Sequence, residues 1–319
     1  LKKGLYESGA DIIDIGLGPS PMLYFAANYL DSDGAIMVTG SHNPPHHNGF
    51  KIMKGKVPFF GKDILDIGER GIKGEWDYSD GSKLDYFIDD KYINILLESL
   101  KLNKFNKALK VAWDPGNGAA GAIIKKLVKL LPGEHTLINT EIDGLFPSHH
   151  PDPTDPKNLK EIIALVRDKE LDVGLAFDGD GDRLGVVSST GRIVWGDQLL
   201  AFLSKEVLRN MPNSSIIADV KASQNLFNQI EKYGGVPVMW KTGHSFIKSK
   251  MKEISSPLAG EMSGHIFFAD RYLGYDDGIY AALRVLELIE DRYTLDNFLD
   301  SLPKTFSTQE IKIECSDDK

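Results

Sequence analysis

The stretch Leu171-Asp-Val-Gly-Leu-Ala-Phe-Asp-Gly-Asp-Gly-Asp-Arg183 joins an apolar run to three alternating aspartates. Val173–Phe177 carries no polar side chain, as expected of a strand covered on both faces in a largely parallel sheet. The loop after it sets Asp178, Asp180 and Asp182 apart by Gly179 and Gly181. Glycines let a tight turn bring all three carboxylates toward one point, and hard cations such as Mg²⁺ take oxygen ligands of this kind. An acidic surface turn is the alternative, since Asp and Gly dominate turns. Three carboxylates at the end of a buried strand repel one another unless a cation joins them, which favours the metal. A calcium EF-hand also begins D-x-D-x-D but needs Gly at its sixth position and Glu at its twelfth. Here those positions hold Arg183 and Ser189, and the flanks read as strands rather than helices.

The same strand–loop–helix plan recurs along the chain. Apolar runs at 11–17, 35–39, 109–113, 171–177, 216–220 and 236–240 read as buried strands. Helical patterns lie at 120–131, 158–169, 197–210 and 276–291. In the last, Ile279, Leu283, Leu286 and Ile289 line one side. Alternation of this kind implies α/β layers with mostly parallel sheets, and ligands then gather at the carboxyl ends of the strands. The polar stretch 71–90 is expected to close a first domain. The turn at 188–192 is expected to join a second domain to a third. A new strand is expected at 308–314.

Composition sets outer bounds. The 319 residues suggest two or three domains, and 42% hydrophobic with 26% charged residues is ordinary for a globular chain. The net charge of −9 argues against a nucleic-acid partner. No stretch approaches the roughly 20 apolar residues of a membrane span, and the N-terminus lacks the apolar core of a signal peptide. The single Cys315 excludes an internal disulfide framework, so a reducing cytoplasm is the expected location. The chain begins with Leu1 rather than Met, which suggests a missing N-terminal piece.

Two further loops carry chemistry. Thr39-Gly-Ser-His-Asn-Pro-Pro45 follows a strand end, with Ser41 as a candidate covalent carrier. Serine alone is a weak nucleophile and needs a base or a metal, and a capping or turn serine is the plainer reading of Ser-His-Asn by itself. The hydrolase elbow G-x-S-x-G does not match, because Asn43 stands at its second glycine. Gly260-Glu-Met-Ser-Gly-His265 offers a carboxylate, a hydroxyl and an imidazole, suited to sugar hydroxyls. A polar loop closing a strand pair fits it equally. Lys51, Arg183, Lys221 and Lys241-Thr-Gly-His244 lie at or beside strand ends. No Walker loop occurs, so a nucleotide-driven kinase has no support.

Taken together and in this order, the three loops resemble those of the α-D-phosphohexomutase superfamily, and most closely its bacterial phosphomannomutase/phosphoglucomutase group. Asn48-Gly-Phe-Lys51, Gly18-Pro-Ser-Pro21, His149-His-Pro-Asp-Pro153 and Gly274-Tyr-Asp-Asp-Gly278 add to the likeness. The resemblance implies consecutive mixed or parallel-sheet α/β domains around a cleft: 1–87 with the phosphoserine loop, 88–190 with the metal loop and 191–303 with the sugar loop. Residues 304–319 would begin a fourth domain that is essentially missing, together with its phosphate-gripping loop. Such a chain is expected to bind Mg²⁺ but to turn substrate over poorly.

By the same likeness Ser41 corresponds to a phosphoserine, with Asp178, Asp180, Asp182 and a phosphoserine oxygen as Mg²⁺ ligands. His42, Lys51 and Arg183 match positions beside it. Lys221, Gly243, His244, Glu261, Met262, Ser263, Gly264 and His265 match substrate-contacting positions. The implied reaction exchanges hexose 1-phosphate and 6-phosphate, for mannose or glucose, through a hexose 1,6-bisphosphate. A monomer acting on small hexose phosphates is expected. The alternatives are a Mg²⁺-dependent sugar-phosphate-binding protein whose Ser41 never carries phosphate, and a phosphatase.

Overall fold

The computed structural model describes residues 1–101, 105 and 108–304. The strand expected at 308–314 lies outside them. The chain first forms α1 (Lys2–Glu7), β1 (Ile12–Asp14), α2 (Ser20–Tyr29), β2 (Gly34–Val38), β3 (Phe50–Lys54), β4 (Val57–Phe59), α3 (Lys62–Lys73) and β5 (Lys83–Asp85). It continues through α4 (Asp89–Glu98), β6 (Lys110–Asp114), α5 (Gly121–Leu127), β7 (Glu134–Leu137), α6 (Lys160–Asp168), β8 (Val173–Phe177), β9 (Leu184–Ser188) and β10 (Ile193–Val194). Last come α7 (Gly196–Asn210), β11 (Ser215–Asp219), α8 (Gln224–Lys232), β12 (Val236–Trp240), α9 (His244–Ile254), β13 (Leu258–Gly260), β14 (Ile266–Phe268), α10 (Gly278–Leu288) and α11 (Thr294–Ser301).

These make three successive α/β units. The middle sheet runs β10-β9-β8-β6-β7, with β8 parallel to β6 and antiparallel to β9. Every residue of β8 and β9 is buried, as the unbroken apolar run requires. Trp113 of β6 stacks on Phe177 of β8, with ring centroids 6.0 Å apart. The third sheet runs β12-β11-β13-β14, parallel except for β14. Helix α10 is buried on nearly all sides, capped by the Asp277 carboxylate, which accepts from Tyr280 N at 2.9 Å. It touches β8 and β9 of the middle unit as well as β14 of its own, and so fastens the two units together.

The structure corrects several expectations. The 188–192 turn does not join units: Ser188 N donates to Arg192 O, and Ile193–Val194 pair antiparallel with β9. It is a hairpin, and the second sheet runs on to Val194. In the first unit β2, β3 and β4 form an antiparallel sheet, with β1 and β5 a separate parallel pair. Their residues are largely half-buried or exposed, so apolar continuity overstates their coverage. β12 is likewise only partly covered, because it is an edge strand. The 71–90 stretch holds a strand, β5, which pairs with β1. No helix among the described residues is long and apolar enough to cross a membrane.

Candidate functional site

The loops singled out in the sequence meet where the three units converge. The loop from Asp178 to Arg183 links β8 to β9, and close backbone contacts pin it from several sides. Ser20 N, at the start of α2, donates to Asp180 O at 2.8 Å, and Ala119 N donates to Gly179 O at 2.8 Å. Gly278 N donates to Gly181 O at 3.2 Å, and Leu184 N donates to Gly264 O at 3.0 Å. Glycine is required at 179, where a Cβ would overlap the Ser41 carbonyl oxygen. It is required at 181 by a φ of +73°.

Ser41 lies in the loop between β2 and β3, at a φ of +50° that non-glycine residues adopt sparingly. Its N–H is anchored on Thr39 Oγ1 at 2.9 Å. Its hydroxyl donates to Asp178 Oδ2 at 3.0 Å and lies 3.2 Å from His42 Nδ1. Lys51, on β3, sends its ammonium to Asp180 Oδ2 at 2.6 Å and to Asp182 Oδ2. Arg183 Nε donates to His265 Nε2 at 3.0 Å and lies 3.8 Å from Asp178 Oδ2. The phosphoserine, metal and sugar loops of the resemblance are therefore one contiguous cluster.

Electrostatics follow from burial and these pairs. All three aspartates are buried. Burial, reinforced by Asp182 and Asp180, pushes the Asp178 carboxyl well above its usual range. Burial opposes ionisation of Asp180, but the Lys51 charge and hydrogen bonds from Lys51, Ser20 and Ser41 together hold its carboxyl below the usual range. Lys51 stays protonated despite burial, through Asp180 and Asp182. Burial and the Arg183 charge lower the His42 imidazole.

The three aspartates each offer an oxygen within 4.8 Å of the others. Asp180 Oδ1 and Asp182 Oδ1 are buried with no hydrogen-bond partner. Orphaned carboxylate oxygens are costly unless a cation meets them, and an all-oxygen donor set suits Mg²⁺. The residues present fit such an ion.

The sugar-side residues form a second layer. Glu261 Oε1 accepts from Gly243 N at 2.5 Å, and burial raises its carboxyl. Thr242 Oγ1 at 3.2 Å and Met262 N at 3.4 Å both reach Asp219, which closes the loop. Ser263 is half-buried on the same turn and Gly264 is buried there. Lys221 is exposed just beyond β11, near Asp219.

Three neighbours carry no role assignable from the sequence. Ser20 Oγ donates to Asp180 Oδ2. Asp276 accepts from Lys248 Nζ at 2.8 Å, and its Oδ2 lies 2.9 Å from His244 Nδ1 and 3.2 Å from His265 Nδ1. Ser20 and Asp276 sit inside stretches quoted for the resemblance. Lys248 has only its spacing of four residues from His244 to mark it.

Comparison with known proteins follows the same order of units. Family models described as phosphoglucomutase/phosphomannomutase alpha/beta/alpha domains I, II and III match residues 1–71, 90–191 and 195–306. A phosphomannomutase/phosphoglucomutase of Pseudomonas aeruginosa is 44% identical over 319 residues, covering 100% of this chain and 68% of the relative. A phosphoglucomutase of Neisseria gonorrhoeae is 42% identical over 315 residues, covering 98% and 68%. The crystal structure of a phosphoglucomutase/phosphomannomutase family protein from Burkholderia thailandensis matches with a TM-score of 0.89 at 41% identity, covering 96% of this chain and 68% of that one. The chain thus spans about two thirds of the length of these proteins.

Proposed function

The chain belongs to the phosphoglucomutase/phosphomannomutase family and is a hexose phosphate mutase, and we propose that Ser41 is the residue through which its phosphoryl group passes. The observation that carries this is the Ser41 hydroxyl, 3.0 Å from Asp178 within the buried aspartate cluster. The substrates are hexose 1-phosphate and 6-phosphate, of mannose or glucose. By the family resemblance, Met262 in the sugar loop favours this group over glucosamine mutases, whose loop usually has Gln there.

In the first transfer the Oγ–P bond of phosphorylated Ser41 breaks and the open sugar hydroxyl bonds to phosphorus, its proton passing to the freed Ser41 Oγ. The product is a hexose 1,6-bisphosphate, which turns over within the cleft. In the second transfer the Ser41 hydroxyl gives up its proton as it bonds to the other phosphate, and the freed sugar oxygen takes that proton. His42, held neutral by burial and Arg183, is placed to accept and return that proton. Lys51 is held protonated by Asp180 and Asp182 and contributes positive charge instead. Arg183 adds a second fixed cation beside the transferring group.

Asp178, Asp180 and Asp182 would hold Mg²⁺ together with an oxygen of the phosphorylated Ser41. When bound, the ion supplies charge neutralisation of the moving phosphoryl group. Glu261, Ser263 and His265, with His244, Gly243 and Gly264 shaping the rim, would engage the sugar, and Lys221 would meet the substrate from outside. The enzyme would act as a cytoplasmic monomer.

The test is conversion of glucose 1-phosphate to glucose 6-phosphate by the full-length protein with Mg²⁺ and a trace of glucose 1,6-bisphosphate. Ser41→Ala is expected to abolish it, and retained conversion would remove Ser41 from this role. Release of free phosphate in place of the isomer would instead indicate a phosphatase.

A further inference from the structure

We infer that Lys248 is a positioning residue for the mutase reaction, fixing the Asp276 carboxylate that in turn orients His244 and His265. Helix α9 begins at His244, and a residue four positions on lies on the same helix face. Lys248 Nζ donates to Asp276 Oδ1 at 2.8 Å and lies 4.1 Å from the centroid of the Tyr24 ring. Its side chain is only 10% exposed, and Asp276 is fully buried. An ammonium so desolvated needs both its carboxylate and its aromatic face.

The geometry at Asp276 is a division of labour between its two oxygens. Lys248 takes Oδ1 and itself lies 3.5 Å from His244 Nδ1, which leaves Oδ2 to bond His244 Nδ1 (2.9 Å) with His265 Nδ1 beside it (3.2 Å). The two imidazoles stack at 24° with centroids 5.6 Å apart. The terminal torsion of an aspartate is soft and nearly two-fold, so the rotation of this carboxylate is set by its partners. Without Lys248 it is free to turn, so His244 loses the group that aims it, and His265, whose Nε2 Arg183 also holds, loses the charge beside its Nδ1. Tyr24 belongs to α2, whose first residue, Ser20, bonds Asp180. The ammonium therefore ties the histidine pair of the third unit to the first unit.

Lys248 also borders a small cavity of about 110 Å³ shared with Lys51, Phe60 and His244. Direct contact with substrate is thus the competing role, and the substrate-free enzyme separates the two. Removing a group that only touches substrate leaves the free enzyme's imidazoles in place, whereas removing one that aims them shifts both.

The inference rests on the reading of His244 and His265 as substrate-contacting residues. The experiment uses the full-length enzyme with Mg²⁺ and glucose 1-phosphate, comparing Lys248→Met with Lys248→Arg. Lys248→Met is expected to lower kcat/KM by about 10- to 100-fold, the cost of a slight misplacement of groups that contact substrate. Lys248→Arg should recover most of the loss. Imidazole ¹⁵N spectra should show His244 and His265 shifted in Lys248→Met, with His149, paired to Asp114 elsewhere, unmoved.

Unmoved His244 and His265 signals in the substrate-free enzyme would overturn the inference. Shifted signals with unchanged kcat/KM would instead overturn the role of the two histidines in the reaction. If Lys248→Met does not fold, Tyr24→Leu and Tyr24→Phe replace it. Loss of kcat in Tyr24→Leu with retention in Tyr24→Phe supports the inference, and equal activity in the two contradicts it.

Discussion

Ser41 Oγ lies 3.0 Å from Asp178 Oδ2, although 137 positions separate the two residues in the chain. The contact exists because two loops of different units approach at backbone distance. The Ser41 carbonyl sits where a side chain at 179 would have to go. Neither loop alone makes a site, since Ser41 without a carboxylate is a turn serine and Asp178 without a hydroxyl is a buried charge.

Gly179→Ala is therefore expected to damage catalysis without touching a reacting group. The new Cβ would lie 2.2 Å from the Ser41 carbonyl oxygen, a main-chain atom, so the Ser41 loop must move. A displacement near 1 Å costs about 10²-fold in rate. Steady-state kcat/KM should fall by that order while far-ultraviolet circular dichroism stays unchanged. Activity within a factor of two of the native protein would show that the approach of the two loops is not needed.

The aspartate cluster trades stability for metal binding. Burial and the neighbouring carboxylates raise the Asp178 carboxyl, so its ionised form is disfavoured in the folded protein. Asp178→Asn keeps one oxygen, which can still accept from the Asp182 and Arg183 N–H groups, each 3.1 Å away. The metal-free variant should be at least as stable as the native protein at pH 8. Mg²⁺ at about 100 times its Kd should stabilise the native protein by about 2.7 kcal/mol, reversibly with a chelator. Thermal melts should show that gain lost in Asp178→Asn, and an equal gain in both proteins would place the metal elsewhere.

Asp277 gives a pH dependence whose sign is fixed. It accepts from Tyr92 and Tyr272 hydroxyls at 2.8 Å each and caps α10, yet burial pushes its carboxyl up to about 6. An unfolded aspartate titrates near 3.9, so between that value and about 6 the folded state holds the extra proton. Stability is thus fully present below the unfolded value and declines as pH rises through about 6. Asp277→Asn keeps an acceptor and removes the titration. Relative to the native protein it should gain up to about 3 kcal/mol between pH 4 and pH 8 in urea unfolding. A stability difference that stays constant over that range would contradict the shift.

Much of the fold and of the site is legible in the order of residues alone. β8 and the loop after it are readable because full burial leaves an unbroken apolar run and a metal loop leaves acidic residues spaced by glycines. Val236–Trp240 is readable as a strand, though not as an edge strand. The first unit is harder: β2 and β3 pair antiparallel and stay partly exposed, so their apolar runs do not report coverage. The 188–192 hairpin has the composition of a linker, and only strand pairing tells the two apart. Within the site, Lys248 carries no mark of its own, because one lysine in a helix is ordinarily a solvated charge. Its role comes from burial against Tyr24 and Asp276, two residues of different units.

The most direct measurement is the intact mass of the full-length protein after incubation with glucose 1,6-bisphosphate and Mg²⁺, followed by peptide mapping. The expected result is a gain of one phosphoryl group located on Ser41, discharged on adding glucose 1-phosphate and absent in Ser41→Ala. A phosphoryl group on another residue, or an unphosphorylated protein that still interconverts the two hexose phosphates, would contradict it.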